Sequence, residues 1–139
     1  MKESPEIIKG NCYSDERGSL YYNNDFDASE VKRIYFIENK DIGFKRGWQG
    51  HKIEQRWFSV VQGSFKISVI AIDDWNIPSD DLVGEDFVLS ALMMDVLHVP
   101  KGHVTCIQAL EDASRLMALS DYSLGEVTDE YRFDTNYFK

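Results

Sequence analysis

The sequence predicts an all-β domain, an antiparallel barrel or sandwich, on three observations. Strand signals outnumber helix signals, turn residues separate roughly eight to ten short apolar runs, and only one segment reads as helical. At 139 residues the chain is the size of one domain, and no linker or repeat divides it, so residues 1–139 are read as a single unit.

The elements follow in order. "GSLYYNN" (Gly18 to Asn24) is a short aromatic strand, and "VKRIYFIE" (Val31 to Glu38) a β-branched and aromatic one bounded by polar turns. "RWFSVVQGSFKISVIAI" (Arg56 to Ile72) holds two apolar runs around Gln62, Gly63 and Ser64 and reads as a hairpin. Phe65, Ile67 and Val69 alternate there against Lys66 and Ser68. The acidic "DDWNIPSDDLVGED" (Asp73 to Asp86) is a surface loop, and "DFVLSAL" the strand after it. "DVLHVPKGH" is a strand closed by a Pro-Lys-Gly turn, and "VTCIQALE" and "SRLMALSDY" are two more, split by "EDAS". The C-terminal "TDEYRFDTNYF" is the one helical expectation.

Composition narrows the function. Hydrophobic residues make up 43% and aromatics 13%, enough for a core, while the 28% charged fraction is that of a soluble protein. The net charge of −9 argues against non-specific nucleic-acid binding, which needs cationic surface to displace counterions. The longest apolar runs are too short to span a bilayer, so no membrane partner is expected. The opening "MKESPEIIKG" has no apolar signal-like core, and two cysteines suggest no disulfide framework; a cytoplasmic setting is the expectation. An acidic protein can still bind an anion where arginines gather in one cleft. On "KRIYFIE", Arg33, Tyr35 and Ile37 share a face that suits either a pocket wall or a solvated sheet face.

Taken in order, "DERGSL", "KRIYFI", "RGWQGHK", "VVQGSFKISVIAID", "HVPKGH" and "LSDYSLGEVTDEYRFD" resemble the cupin sugar 3,4-ketoisomerases that act on dTDP-4-keto-6-deoxyglucose. Their relatives are the dTDP-4-keto sugar 3,5-epimerases. The resemblance runs from about Asp15 to Asp134. It implies a jelly-roll β-barrel, a homodimer with exchanged N-terminal strands, and a dTDP-linked keto-deoxysugar as substrate. Both reactions move a proton beside a ketone, and neither needs a metal or redox cofactor. A base, an oxyanion donor and a diphosphate anchor suffice.

The metal alternative meets a spacing problem. Metal-binding cupins use a His-x-His pair, a glutamate shortly after it and a later histidine. Here the pair is Gln49-Gly50-His51, Glu54 comes early, and His103 stands one residue off the expected position near Thr105.

On the resemblance, His51 is the candidate proton carrier, an imidazole that titrates near neutral pH. Tyr35 is the candidate donor to the developing oxyanion. Arg17, Arg33 and Arg46 are assigned to the nucleotide and diphosphate, where a guanidinium pairs two phosphate oxygens at once. Gln49 replaces a histidine that the epimerases use as their base; it can hydrogen-bond the sugar but not accept its proton. His103 and the "SDY" pair Asp121 and Tyr122 are expected to shape the sugar pocket. His98, between Leu97 and Val99, reads as structural. A 3,5-epimerase and a sugar-nucleotide-binding domain without activity are the alternatives.

Overall fold

The computed structural model describes residues 3–139 and contains strands only. In chain order they are β1 (Glu6–Ile8), β2 (Asn11–Asp15), β3 (Gly18–Tyr22), β4 (Arg33–Ile37), β5 (Arg46–His51) and β6 (Arg56–Gln62). They continue as β7 (Ser64–Ala71), β8 (Glu85–Ser90), β9 (Val96–Val99), β10 (His103–Ala109), β11 (Arg115–Ser120) and β12 (Tyr131–Arg132). Among the described residues no helix is long and apolar enough to cross a membrane.

Two five-stranded antiparallel sheets, ordered β1-β9-β6-β11-β4 and β12-β5-β10-β7-β8, carry the fold; β2 and β3 form a separate ribbon. The arrangement is cupin-like. Among the described residues no ladder joins the two large sheets, so hydrogen bonding leaves two open sheets where a closed barrel was expected. Their inner faces meet in one core of Phe58 and Val60, Phe65, Ile67 and Val69, Leu89, Leu97, Ile107 and Leu116, among others. The alternation read in β7 decides its facing: Phe65, Ile67 and Val69 point inward with at most 2% exposure. Each such side chain contributes about 1.5–3 kcal/mol by leaving water.

Two expectations are corrected. The run from Arg56 to Ile72 is not a hairpin: β6 pairs with β11 and β9, whereas β7 pairs with β10 and β8. Gly63, at φ 76°, turns the chain from one sheet to the other. Period-2 alternation looks the same whether consecutive strands pair or face each other, so local pattern could not separate the cases. A Cβ on Gly63 would overlap the Ser114 hydroxyl, which accepts the Ser64 N–H at 3.1 Å. Gly63→Ala is therefore expected to destabilise the protein by about 2 kcal/mol, read as a lower urea midpoint at unchanged slope.

The second correction is the C-terminal helix. Tyr131 and Arg132 instead add an edge strand opposite Gly50 and Gln49, and Trp48 and Phe133 exchange backbone hydrogen bonds at 2.9 and 3.0 Å. Trp48, Phe133 and Phe138 pack on a separate apolar cluster of Ile70, Ile72 and Val104, where the Phe138 ring meets Trp48 edge-on. Edge pairing plus aromatic burial outweighs the weak local preference for helix.

Candidate active site

At one end of the sheets a cleft of about 770 Å³ opens between β4, β5, the start of β6 and the segment from Ser123 to Glu130. Its inner end, about 30 Å³, is lined by Phe58, Val99 and Ile107 together with His103 and Thr105. In "RGWQGHK", the residues from Arg46 to His51 form strand β5. Its register slips against β10: Gln49 lies opposite Thr105, but Arg46 opposite Ile107. Three steps along β5 match two along β10, and the resulting bulge brings Arg46, Gln49 and His51 to the same cleft. From β4, Arg33, Tyr35 and Ile37 supply the opposite wall, so the pocket-wall reading of that face holds.

His51 is the most constrained of these groups. Its Nδ1 lies 3.0 Å from the Asp129 backbone carbonyl, which can only accept, so Nδ1 carries the proton and Nε2 keeps its lone pair. Asp129, 4% exposed, also fixes the turn after β5. Its carboxylate accepts the N–H groups of Lys52, Ile53 and Glu54 at 2.8, 2.8 and 2.7 Å. Burial, and secondarily the Arg56 charge, hold the imidazole below its ordinary range.

Arg56 begins β6 at 6% exposure. Its Nε donates to the Tyr35 hydroxyl at 2.9 Å, and its Nη1 donates to Glu54 Oε1 at 3.1 Å and Ser120 Oγ at 3.0 Å. The second Glu54 oxygen, Oε2, lies 3.7 Å from His51 Nδ1. No sequence reading assigned Arg56 or Asp129 a role, and Glu54 entered only as a misplaced metal ligand. A cation opening the apolar run "RWFSVV" was the available signal for Arg56. Asp129 offered none, because its partners lie more than 70 positions away.

His51, Glu54 and Asp129 bring possible metal-binding atoms within 4.8 Å of one another. Asp129 already accepts from three amides and Glu54 Oε1 from Arg56 and Ser120, whereas Glu54 Oε2 and His51 Nε2 keep lone pairs to offer. A cation there would also face the buried Arg56 guanidinium, a like charge that weakens metal binding at this donor set.

The other predicted residues divide. The Arg33 guanidinium stacks over the Tyr35 ring at 4.5 Å. Arg46 donates to Asn39 Oδ1 at 3.0 Å and lines the cleft. The Gln49 amide nitrogen donates to Glu130 Oε1 at 2.6 Å, which leaves its carbonyl oxygen as the free acceptor. Arg132, and then burial opposing it, act on Glu130, whose carboxyl sits below its ordinary range. His103 reaches only the inner end, with Nδ1 directed to the Pro100 carbonyl at 2.9 Å.

Three residues are not brought to the cleft. Asp121 turns away to accept the Gln55 backbone N–H at 2.8 Å and its side-chain amide at 3.0 Å. Tyr122 sits beside Lys32, which lies 5.9 Å from its ring centre. Arg17 stands at the turn between β2 and β3, 81% exposed and paired with Asp15, on a ribbon bonded to neither large sheet.

His98, whose Nε2 donates to Gln55 Oε1 at 2.7 Å and whose ring stacks on Trp57, is held below its ordinary pKa by burial, as is His51. Unfolding lets both return to the ordinary imidazole value of 6.5 and bind protons that the folded state refuses. Stability is therefore expected to fall as pH drops below 6.5, through the window between unfolded and folded values. Urea midpoints measured from pH 7.5 to 5.5 read this, and a flat profile in the His51→Asn, His98→Asn double variant assigns it.

No protein-family model matches the sequence, and no curated protein sequence matches it. Solved structures do. A sugar 3,4-ketoisomerase from Thermoanaerobacterium thermosaccharolyticum, crystallised with TDP, is 22% identical with a TM-score of 0.71, over 99% of this chain and 93% of that one. A 3,4-ketoisomerase from Helicobacter canadensis is 20% identical with a TM-score of 0.70, over 96% and 93%. A 3′-monoepimerase from Streptomyces bikiniensis, crystallised with dTDP, is 15% identical with a TM-score of 0.76, over 96% and 70%.

The fold is thus the all-β, cupin-like one of these sugar-nucleotide isomerases. Its structural neighbours over nearly the whole chain are dTDP-sugar 3,4-ketoisomerases and related epimerases.

Proposed function

We propose that the protein is a metal-independent 3,4-ketoisomerase of a dTDP-4-keto-6-deoxyhexose, built as one jelly-roll cupin domain. The observation that carries this reading is the tautomer of His51: Nδ1–H is spent on the Asp129 carbonyl, and Nε2 remains a proton acceptor in a cleft shared with Tyr35. His51 takes the proton from C-3 of the sugar as Tyr35 donates to the C-4 carbonyl oxygen, giving an enediol. Tyr35 then recovers a proton from the 3-hydroxyl as His51 returns its own to C-4, giving the 3-keto sugar and restoring both side chains. Atoms and electrons balance within the sugar, so no cofactor enters. Arg33 and Arg46 hold the diphosphate, and the Gln49 carbonyl accepts from a sugar hydroxyl.

The same reading places the protein in the cytoplasm as a homodimer. Tyr13, Leu20 and Tyr21 on the β2–β3 ribbon and Ile34 and Phe36 on edge strand β4 are all more than 45% exposed, an apolar surface suited to a second copy. In such a dimer Arg17 would act at the partner's cleft. A 3,5-epimerase is the second reading; Gln49, where that chemistry places its base, disfavours it.

Proton NMR of dTDP-4-keto-6-deoxyglucose with the protein in deuterium oxide tests the assignment. Deuterium at C-4 with a 3-keto product supports it, and exchange at C-3 and C-5 establishes the epimerase instead. No exchange alongside a saturation-transfer signal would reduce the site to binding.

A further inference from the structure

The buried Arg56 is the one cation of the cleft that the proposed reaction does not use. Its Nε and Nη1 hydrogens are taken by Tyr35, Glu54, Gln55 and Ser120. Among the described residues no buried side-chain nitrogen or oxygen lacks a partner, and Arg56 lines both the cleft and its inner end. Its remaining nitrogen, Nη2, therefore opens onto the cavity.

This geometry constrains the neighbouring hydroxyl. A phenol oxygen that accepts from a guanidinium uses a lone pair on it and keeps its own O–H for another acceptor. With Arg33 over the ring and Arg56 at the oxygen, Tyr35 is left as a donor toward the cavity. On the other side, Glu54 joins Arg56 to His51 through contacts of 3.1 and 3.7 Å.

We propose that Arg56 is a positioning residue that fixes the proton roles of the cleft, making Tyr35 the donor and leaving His51 the uncharged acceptor. The inference rests on the isomerase reading for its chemical meaning but not for its test. The charged and titratable groups around His51 are Arg56 from β6, Glu54 from the turn, and Asp129 and Glu130 from the segment after β11. Arg46 on β5, Tyr35 on β4 and His103 on β10 complete the lining. Burial first, and then the Arg56 charge, lower the His51 pKa, with the Asp129 carbonyl contact and the Glu54 and Asp129 charges opposing them.

The test is NMR titration of the His51 imidazole, without substrate, in the wild type, Arg56→Gln, Arg56→Lys and Glu54→Gln. Removing the cation should raise the midpoint in Arg56→Gln, whereas removing the anion should lower it in Glu54→Gln. Arg56→Lys should keep the midpoint near wild type. Opposite shifts are not what loosened packing would produce. A midpoint unmoved in Arg56→Gln, or moved the same way by both neutral variants, overturns the proposal. If Arg56→Gln does not fold, Arg56→Met, which keeps the apolar stem without the charge, takes its place with the same expected rise.

Turnover supplies the second readout. In Arg56→Gln, kcat should fall roughly a hundred-fold with KM little changed, and the acidic limb of kcat/KM should move to higher pH. Arg56→Lys should lose turnover while keeping the limb, since lysine cannot reproduce the fork that engages Tyr35. Full activity in Arg56→Lys overturns the Tyr35 half of the proposal. A wild type that titrates as expected but converts no keto sugar sinks the isomerase assignment and leaves the action of Arg56 on His51 standing.

Discussion

Replacing His51 by asparagine is expected to lower turnover of dTDP-4-keto-6-deoxyglucose roughly a thousand-fold while leaving dTDP affinity within about two-fold of wild type. Asparagine can still donate to the Asp129 carbonyl that the imidazole Nδ1 now faces at 3.0 Å, so the turn keeps a partner. What it lacks is an acceptor able to hold a proton near neutral pH. A thousand-fold loss corresponds to about 4 kcal/mol of barrier, within reach of one missing general base. Coupled measurement of turnover by NMR and of dTDP binding by calorimetry separates the two effects. Undiminished turnover would remove His51 from the mechanism, and a matching loss of affinity would make it a binding residue.

Asp129→Ala is the second large effect. Alanine would leave three backbone donors, those of Lys52, Ile53 and Glu54, without the carboxylate that now accepts them at 2.7–2.8 Å. Hydrogen bonds to a charged group contribute about 1.5–3 kcal/mol each and do not add fully, so a destabilisation of about 4 kcal/mol is expected. For a domain of this size that lowers the melting temperature by roughly 10–15 °C. The turn carries His51 at one end and Glu54 at the other, so activity measured well below the melting temperature should fall as well. A thermal shift corresponding to less than about 1 kcal/mol would show that water replaces the carboxylate at little cost. Asp129→Asn, which keeps one acceptor oxygen, should fall between the wild type and alanine.

The strands of the core were legible because burial on one face leaves a mark in the local order of residues. Phe65, Ile67 and Val69 alternate with Lys66 and Ser68, and that alone decides which side of β7 faces inward. The Pro100-Lys101-Gly102 turn between β9 and β10 was legible for a similar reason: a fixed φ at proline and an unhindered glycine at φ 90°. Pairing was not legible. Nothing around Gly63 distinguishes two strands that bond to each other from two that separate into facing sheets. The C-terminal segment misled because its helical preference is weak and its real partners, β5 and Trp48, are distant in sequence.

The site divides along the same line. The amino-acid sequence determined the all-β class, the inward faces of the strands, and the chemical inventory of the cleft: His51 beside Gln49, and Arg33 with Tyr35. Those follow from residue type and short-range period, which are properties of the chain before it folds. Only the tertiary structure decided that Arg46 shares the cleft through a bulge, that Asp121 and Tyr122 leave it, and that Arg56 and Asp129 govern it. Those outcomes depend on hydrogen bonds and charges placed within a few ångströms by residues more than 20 to nearly 80 positions apart. No local pattern encodes such distances; they exist once the two sheets have closed on their shared core.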